Sequence, residues 1–351
     1  QARHSKYYKT SIMVGDMSFD NARVLVFGGT GAQGRSIVQA LARTKRYRVS
    51  VLTRNKNSTQ AAALASSFPD VEFVEGSYTT EEGLRNAFAN QDVVYFSIDS
   101  FNVGEPFEYF WTFRAYEIAV QSKLKWFIFA GAGDRYGNLG MDEKYRNSHN
   151  IVSSRLTGWL MNQPLDRLPW TILTGGVYAE MLGILLRPTE NEDEFVFQNP
   201  MDDDSVMPLL PLEMYGYRLQ WALAHPEESL GKMLSAGPFF VTFPEIATAL
   251  QQVTGKKAQF KSITTSAWME GISSHVDPEG RLPRRADPTD PTSFTFRKSF
   301  SAWWNIWKEQ KEKKIEDMAW ADEVYPTRPR SLKEWMETVG YEGKQIVPLY
   351  E

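Results

Sequence analysis

The chain of 351 residues contains no cysteine, which excludes disulfides, thiol catalysis and thiolate metal sites. Histidine is nearly as scarce. His4, His149, His225 and His275 are scattered without metal-ligand spacing, so no metal site is expected. No apolar run approaches the roughly 20 residues that span a bilayer, and residues 1–20 lack the apolar core of a signal peptide. The expectation is a soluble protein with no membrane partner, cytoplasmic or, for a regulator, nuclear. A net charge of only −4 leaves no broad footprint for nucleic acid, so direct nucleic-acid binding is disfavoured. Internal repeats and low-complexity tracts are absent as well.

What the chain does have is enough apolar content, 42%, to bury a large core, and at this length one large α/β domain with a smaller appended part is expected. Its organising stretch is Arg23 to Gly34, RVLVFGGTGAQG. An apolar strand (Val24, Leu25, Val26, Phe27) runs straight into closely spaced glycines and then a helix. Gly29, Gly31 and Gly34 satisfy G-x-G-x-x-G, and Gly28, Gly31 and Gly34 the wider G-x-x-G-x-x-G. Such glycines permit a tight turn, let backbone approach a pyrophosphate and let helix pack close on strand, while the helix N-terminus offers free N–H donors. The context fits a dinucleotide-binding turn: Ser36 to Arg43 puts Ile37, Val38 and Leu41 on one helical face, and a second strand, Arg48 to Leu52, follows. Gly28, Thr30, Gly31, Ala32, Gln33 and Gly34 are therefore candidate cofactor residues.

Thr53, Arg54, Asn55 and Lys56 follow the second strand, where NAD-preferring sites usually carry an acid for the ribose hydroxyls. Arg54 in that place suits the 2′-phosphate of NADP(H), so NADP(H) is favoured over NAD(H), with Thr53 and Lys56 as helpers; the alternative is a solvated basic loop. Strands are predicted at Val71 to Val74, Asp92 to Ile98, Trp126 to Ala130 and Trp170 to Leu173, alternating with helices near Gln60 to Phe68, Thr80 to Phe88 and Ser148 to Asn162. This order implies a doubly wound parallel sheet. Ser77, Ser97, Ala130, Gly131, Gly176 and Tyr178 leave the carboxyl ends of these strands or cross the crevice there, and join the cofactor candidates. Phe101, Phe107 and Trp111 follow the fourth strand and, with Tyr178, are candidate pocket walls; the alternative is that neighbouring Phe110, Phe113 and Ile118 form the core face of the next helix. Residues 1–20 read as a polar extension, 21–181 as the Rossmann-like dinucleotide domain, and 182–351 as a smaller α+β lobe interleaved with it. Near the end, Ser301 to Trp320 is predicted as one helix.

The chain resembles the NmrA-like family of atypical short-chain dehydrogenase/reductases, particularly fungal members, over roughly Arg23 to Gly340. The likeness rests on VFGGTGAQGRSIVQAL, RVSVLTRN, KLKWFIFA, LPWTILTGGVYAEML, VMPLL and SLKEWMETVG. It implies a Rossmann domain for NADP(H) or NAD(H), with a C-terminal lobe closing a cleft over the nicotinamide. The family includes reductases of small molecules and proteins that report redox state to a partner. Two departures stand out. Ala130, Gly131 and Ala132 occupy the place of the usual serine, and alignment on VSSRLTGWL puts His149 where the family's Lys lies, with Tyr145 four residues earlier. Tyr145 and His149 thus form a candidate catalytic Tyr-x-x-x-His pair, His149 serving as ribose partner or as an acid near neutral pH. The alternative is a helix-start histidine and a loop tyrosine. Three functions remain open: an NADP(H)-dependent oxidoreductase of a hydrophobic aromatic or polycyclic small molecule, a silent NADP(H) sensor that binds a regulatory protein, and a non-redox isomerase or dehydratase.

Overall fold

The computed structural model describes residues 18–283, 289 and 293–346, so most of the polar extension at 1–20 lies outside the described residues. Its first half alternates strand and helix: β1 Arg23–Phe27, α1 Ala32–Thr44, β2 Arg48–Thr53, α2 Thr59–Ser67, β3 Glu72–Glu75, α3 Glu81–Phe88 and β4 Val93–Phe96. There follow α4 Ser100–Val103, α5 Glu105–Gln121, β5 Trp126–Ala130, α6 Arg135–Asn138, α7 Ser148–Leu160 and β6 Trp170–Thr174. These strands pair in parallel in the order β3-β2-β1-β4-β5-β6, and the strand Met233–Ser235 adds in parallel beside β6. Alternation along β1 explains the layers. Val24 and Val26 point into a core with Ile37, Val38 and Leu41 of α1, whereas Leu25 and Phe27 point to the opposite face and meet Leu84, Phe88, Ala115 and Ile118. Because β1 has β2 on one side and β4 on the other, the crevice at their carboxyl ends is the topological switch point.

After β6 the chain leaves the large sheet, but not for good. The helix Glu213–Ala224 packs on α1, and Gly216 makes the approach possible: a Cβ there would lie 2.4 Å from the Ser36 carbonyl oxygen. A second core collects Phe197, Phe243, Trp268, Trp304, Trp335 and Tyr341 around two three-stranded sheets, one of which joins Val177–Tyr178, Val206–Leu210 and Phe239–Thr242.

Two expectations change here. The single helix predicted over Ser301 to Trp320 is two, Phe296–Glu309 and Ala319–Val324, because the apolar stripe of the first runs out at Trp307 and the charges beyond it are engaged elsewhere. Val206 N–H donates to the Gln310 carbonyl at 2.7 Å, Lys311 pairs with Asp202 and Asp204, and Lys313 pairs with Glu245. The aromatic stretch after β4, which the sequence suggests is a loop at the strand's carboxyl end, is mostly helix, in α4 and α5. In α5 the buried face carries Glu108, Thr112, Ala115 and Tyr116, while Phe107, Phe110 and Phe113 are exposed.

Candidate active site

The glycine turn is built for close approach. Gly28 has φ +64°, the left-handed region that glycine adopts without strain, and Gly31 N–H closes the turn onto the Gly28 carbonyl at 2.9 Å. At Gly34 a Cβ would lie 2.2 Å from that same carbonyl, so no side chain fits. Gly31 caps α1 without a side-chain acceptor, and the first turn holds no acid, so the N–H groups at the helix start and its positive dipole face the cleft uncompensated. Beneath the turn, the Gln33 amide donates to Tyr95 and accepts from the Tyr178 hydroxyl at 2.9 Å, tying the turn to the segment that crosses the crevice. Continuing the β1–β2 register places Thr53 and Arg54 level with Gly28 and Gly29. Arg54 is exposed and has no partner among the described residues, Thr53 bonds to Asn55, and Lys56 pairs with Glu75 at 3.9 Å. Ser77 is engaged with Thr79 at 2.7 Å.

One cleft of about 1230 Å³ runs from the turn, across the ends of β4, β5 and β6, to the helix Phe296–Glu309. It brings together Gly28, Gly31, Ala32, Gln33, Gly34 and Ser97 with Ala130, Gly131, His149, Gly176, Tyr178 and Phe101. Thr30, Thr53, Arg54, Lys56 and Ser77 lie outside its lining, as do Tyr145, Phe107 and Trp111. The volume exceeds the roughly 300–1,000 Å³ of an ordinary single-ligand pocket. Gly131 N–H donates to the Leu173 carbonyl, and Ser153 of α7 reaches the Ala130 carbonyl at 3.3 Å from one helical turn beyond His149.

The structure separates the Tyr145–His149 pair. Asn147 caps α7 through the Asn150 N–H, so the helix begins only at Ser148, and Tyr145 sits before it in a short 3₁₀ turn. The Tyr145 hydroxyl donates to Glu309 at 2.7 Å within the second core. His149 does line the cleft, its ring 4.9 Å from Phe101 and 6.1 Å from Phe300. Burial holds its pKa down to about 4, so it is a neutral imidazole at neutral pH rather than the acid expected from an unperturbed histidine. Its Nδ1 has no hydrogen-bond partner among the described residues.

Of the expected pocket walls, Phe101 and Tyr178 line the cleft, while Phe107 is 61% exposed and Trp111 stacks edge-on against Phe110. The missing wall comes from far along the chain: Phe300, Trp303 and Trp307 on the helix Phe296–Glu309. Their spacing of three and four residues is a helical stripe that serves core and cleft alike, and so gave no separate signal. Glu108 was also missed. It lines the cleft at 4% exposure, hydrogen-bonded to Ser100, and among the described residues neither its Oε2 nor the Thr112 hydroxyl one turn on has a partner. Burial pushes its pKa up to about 8, which leaves it a proton donor at neutral pH.

A model of the NmrA-like family matches residues 20–133. An NmrA-like family domain-containing protein of Dictyostelium discoideum is 32% identical over 248 residues, 69% of this chain and 80% of that protein. The NmrA-like family domain-containing oxidoreductase lnaB of Aspergillus flavus is 23% identical over 281 residues, 74% of this chain and 80% of the relative. Among solved structures, NmrA, a negative transcriptional regulator in complex with NADP, superposes with a TM-score of 0.67 at 14% identity, covering 91% of this chain and 95% of that one. The complex of leucoanthocyanidin reductase with NADPH from Vitis vinifera gives a TM-score of 0.61 at 14% identity, covering 90% and 98%. These superpositions establish a shared fold.

Proposed function

The chain belongs to the NmrA-like family, and from that membership we propose that it is an NADP(H)-dependent oxidoreductase of a hydrophobic, aromatic small molecule. The observation that carries the reading is the continuity of one cleft from the side-chain-free glycine turn to the rings of Phe101, Phe300 and Trp303. The oxidoreductase named in Aspergillus flavus and the dinucleotides bound by NmrA and leucoanthocyanidin reductase support it. The fit is local and physical. A bound dinucleotide would have its pyrophosphate held by the α1 N-terminus and Gly28 to Gly34, its 2′-phosphate met by exposed Arg54 one residue past β2, and its ribose offered a ring nitrogen by neutral His149. When bound, the dinucleotide supplies a hydride. The aromatic rings orient the substrate over it and keep water out.

A redox sensor is the second reading, favoured by Ala130, Gly131 and Ala132 in place of a serine and by His149 in place of a lysine. NmrA, a negative transcriptional regulator, has the same fold. The experiment that decides is a screen of aromatic aldehydes and ketones for loss of the reduced-nicotinamide absorbance with the purified protein. Consumption that depends on both protein and carbonyl compound supports the oxidoreductase. Tight NADPH binding without consumption by any compound favours the sensor.

A further inference from the structure

Arg135 has no part in that reading, yet it is a cation of the cleft lining with no ion pair among the described residues. It opens α6, just past the end of β5, and its guanidinium carbon lies 4.4 Å from the centroid of the Trp307 ring. Nη1 donates to Gln310 Oε1 at 2.8 Å, the side chain's one hydrogen bond among the described residues. Carboxylates are near but turned elsewhere. Asp134 accepts from Gly137 N–H at 2.9 Å, Glu309 accepts from Tyr145, and none of Asp277, Glu312 and Glu316 on the cleft wall comes within ion-pair distance. Burial alone acts on the guanidinium and pulls its pKa down, with no anion to offset it. A guanidinium presents five N–H donors, and a desolvated cation with most of them open is stable only when a ligand or water completes it. The Trp307 indole N–H beside it is likewise buried with no acceptor among the described residues.

The donors call for an anion, and the dinucleotide's phosphates have their places elsewhere. Arg135 follows β5, three strand spacings from Arg54 after β2 and two from the glycine turn after β1, or about 14 Å and about 10 Å across the sheet. From the Trp307 ring beside the guanidinium the aromatic wall continues along the helix to Trp303, 6.0 Å away ring to ring, and on to Phe300, 5.8 Å from Trp303. We propose that Arg135 anchors an aromatic carboxylate, the carboxylate meeting the guanidinium fork and the ring system lying against Phe300 and Trp303. Planar two-point pairing is what distinguishes arginine from lysine in such a place. In calling this ligand the substrate, the inference rests on the oxidoreductase reading; the site itself does not.

The test is calorimetric titration of the full chain, with and without saturating NADPH, using benzoate, naphthoate and anthracenecarboxylate and the neutral carboxamide of each. At least one carboxylate should bind about tenfold or more tightly than its amide. Arg135→Gln should erase that preference and Arg135→Lys should recover only part of it, with NADPH affinity and Tm unchanged in both. Equal binding of acid and amide, a preference that survives Arg135→Gln, or no carboxylate binding to the unaltered protein overturns the assignment. The two readings fail separately. A carboxylate preference without any NADPH turnover leaves the anchor standing and removes the oxidoreductase, and turnover without the preference does the reverse.

Discussion

Arg54 stands one residue past β2, exposed and without a partner among the described residues, and the proposed choice of NADP(H) rests on it. Binding of NADP(H) should exceed that of NAD(H), and Arg54→Ala should remove most of the difference. A charge-assisted contact of about 1–3 kcal/mol corresponds to roughly one or two decades in Kd, readable by parallel titration of both cofactors. Equal affinities in the unaltered protein would sink this assignment. The buried titratable groups of the cleft and its surroundings set a pH dependence of a different kind. Glu108 and Glu180 keep their protons up to about 8 and about 7, against 4.5 for an ordinary glutamate. The folded chain therefore holds protons that the unfolded chain releases, and this stabilisation, full below about pH 4.5, is lost as pH rises through 7 and 8. His149, held down to about 4 against 6.5, works the other way, its contribution rising from pH 4 to 6.5. The two trends oppose each other below pH 6.5, and above it only the carboxyl effect remains. Thermal melts should show Tm falling between about pH 6.5 and 8.5, with Glu108→Gln flattening the fall. A variant that keeps the full slope contradicts the assignment of the buried carboxyl.

At the scale of elements, the contact between α1 and the helix Glu213–Ala224 joins the glycine turn to the later part of the chain, and Gly216 sets its distance. Gly216→Leu gains about 1 kcal/mol of helix propensity but forces a side chain into the Ser36 carbonyl and Ala40, and overpacking costs about 1–3 kcal/mol or more. A lower denaturation midpoint is the expected result; an unchanged one would mean that the helices part freely. Elements whose apolar period matched their burial were legible in the sequence. β1 with four consecutive buried residues, α1 with Ile37, Val38 and Leu41 inward, and β5 at Trp126–Ala130 all lie where the pattern places them. Legibility failed where local pattern and burial part company. In α5, polar Glu108 and Thr112 face inward at the cleft while Phe107 and Phe110 face out, the reverse of an ordinary amphipathic helix. Tyr145 and His149 have helical spacing, but the Asn147 cap falls between them, and spacing means nothing across a helix boundary. The cleft-facing role of Phe300, Trp303 and Trp307 depends on long-range packing that no window of sequence contains.

At the scale of the whole molecule, two cores meet along one cleft. The parallel sheet supplies the glycine turn and the ends of β4, β5 and β6, the second core supplies the aromatic wall, and the segment Thr174–Tyr178 links them while Gln33 holds Tyr178. Neither half is a complete site. Among the described residues no helix is long and apolar enough to cross a membrane. In the proposed function this cleft sets a dinucleotide and an aromatic acceptor side by side for hydride transfer. The most direct test is to incubate the protein with NADPH deuterated at the transferable hydride and a panel of aromatic carbonyl compounds, and to follow the label by mass spectrometry. Deuterium should appear on the former carbonyl carbon of at least one product and be lost when Gly34→Val closes the turn. Saturable NADPH binding with no deuterium in any product would contradict it.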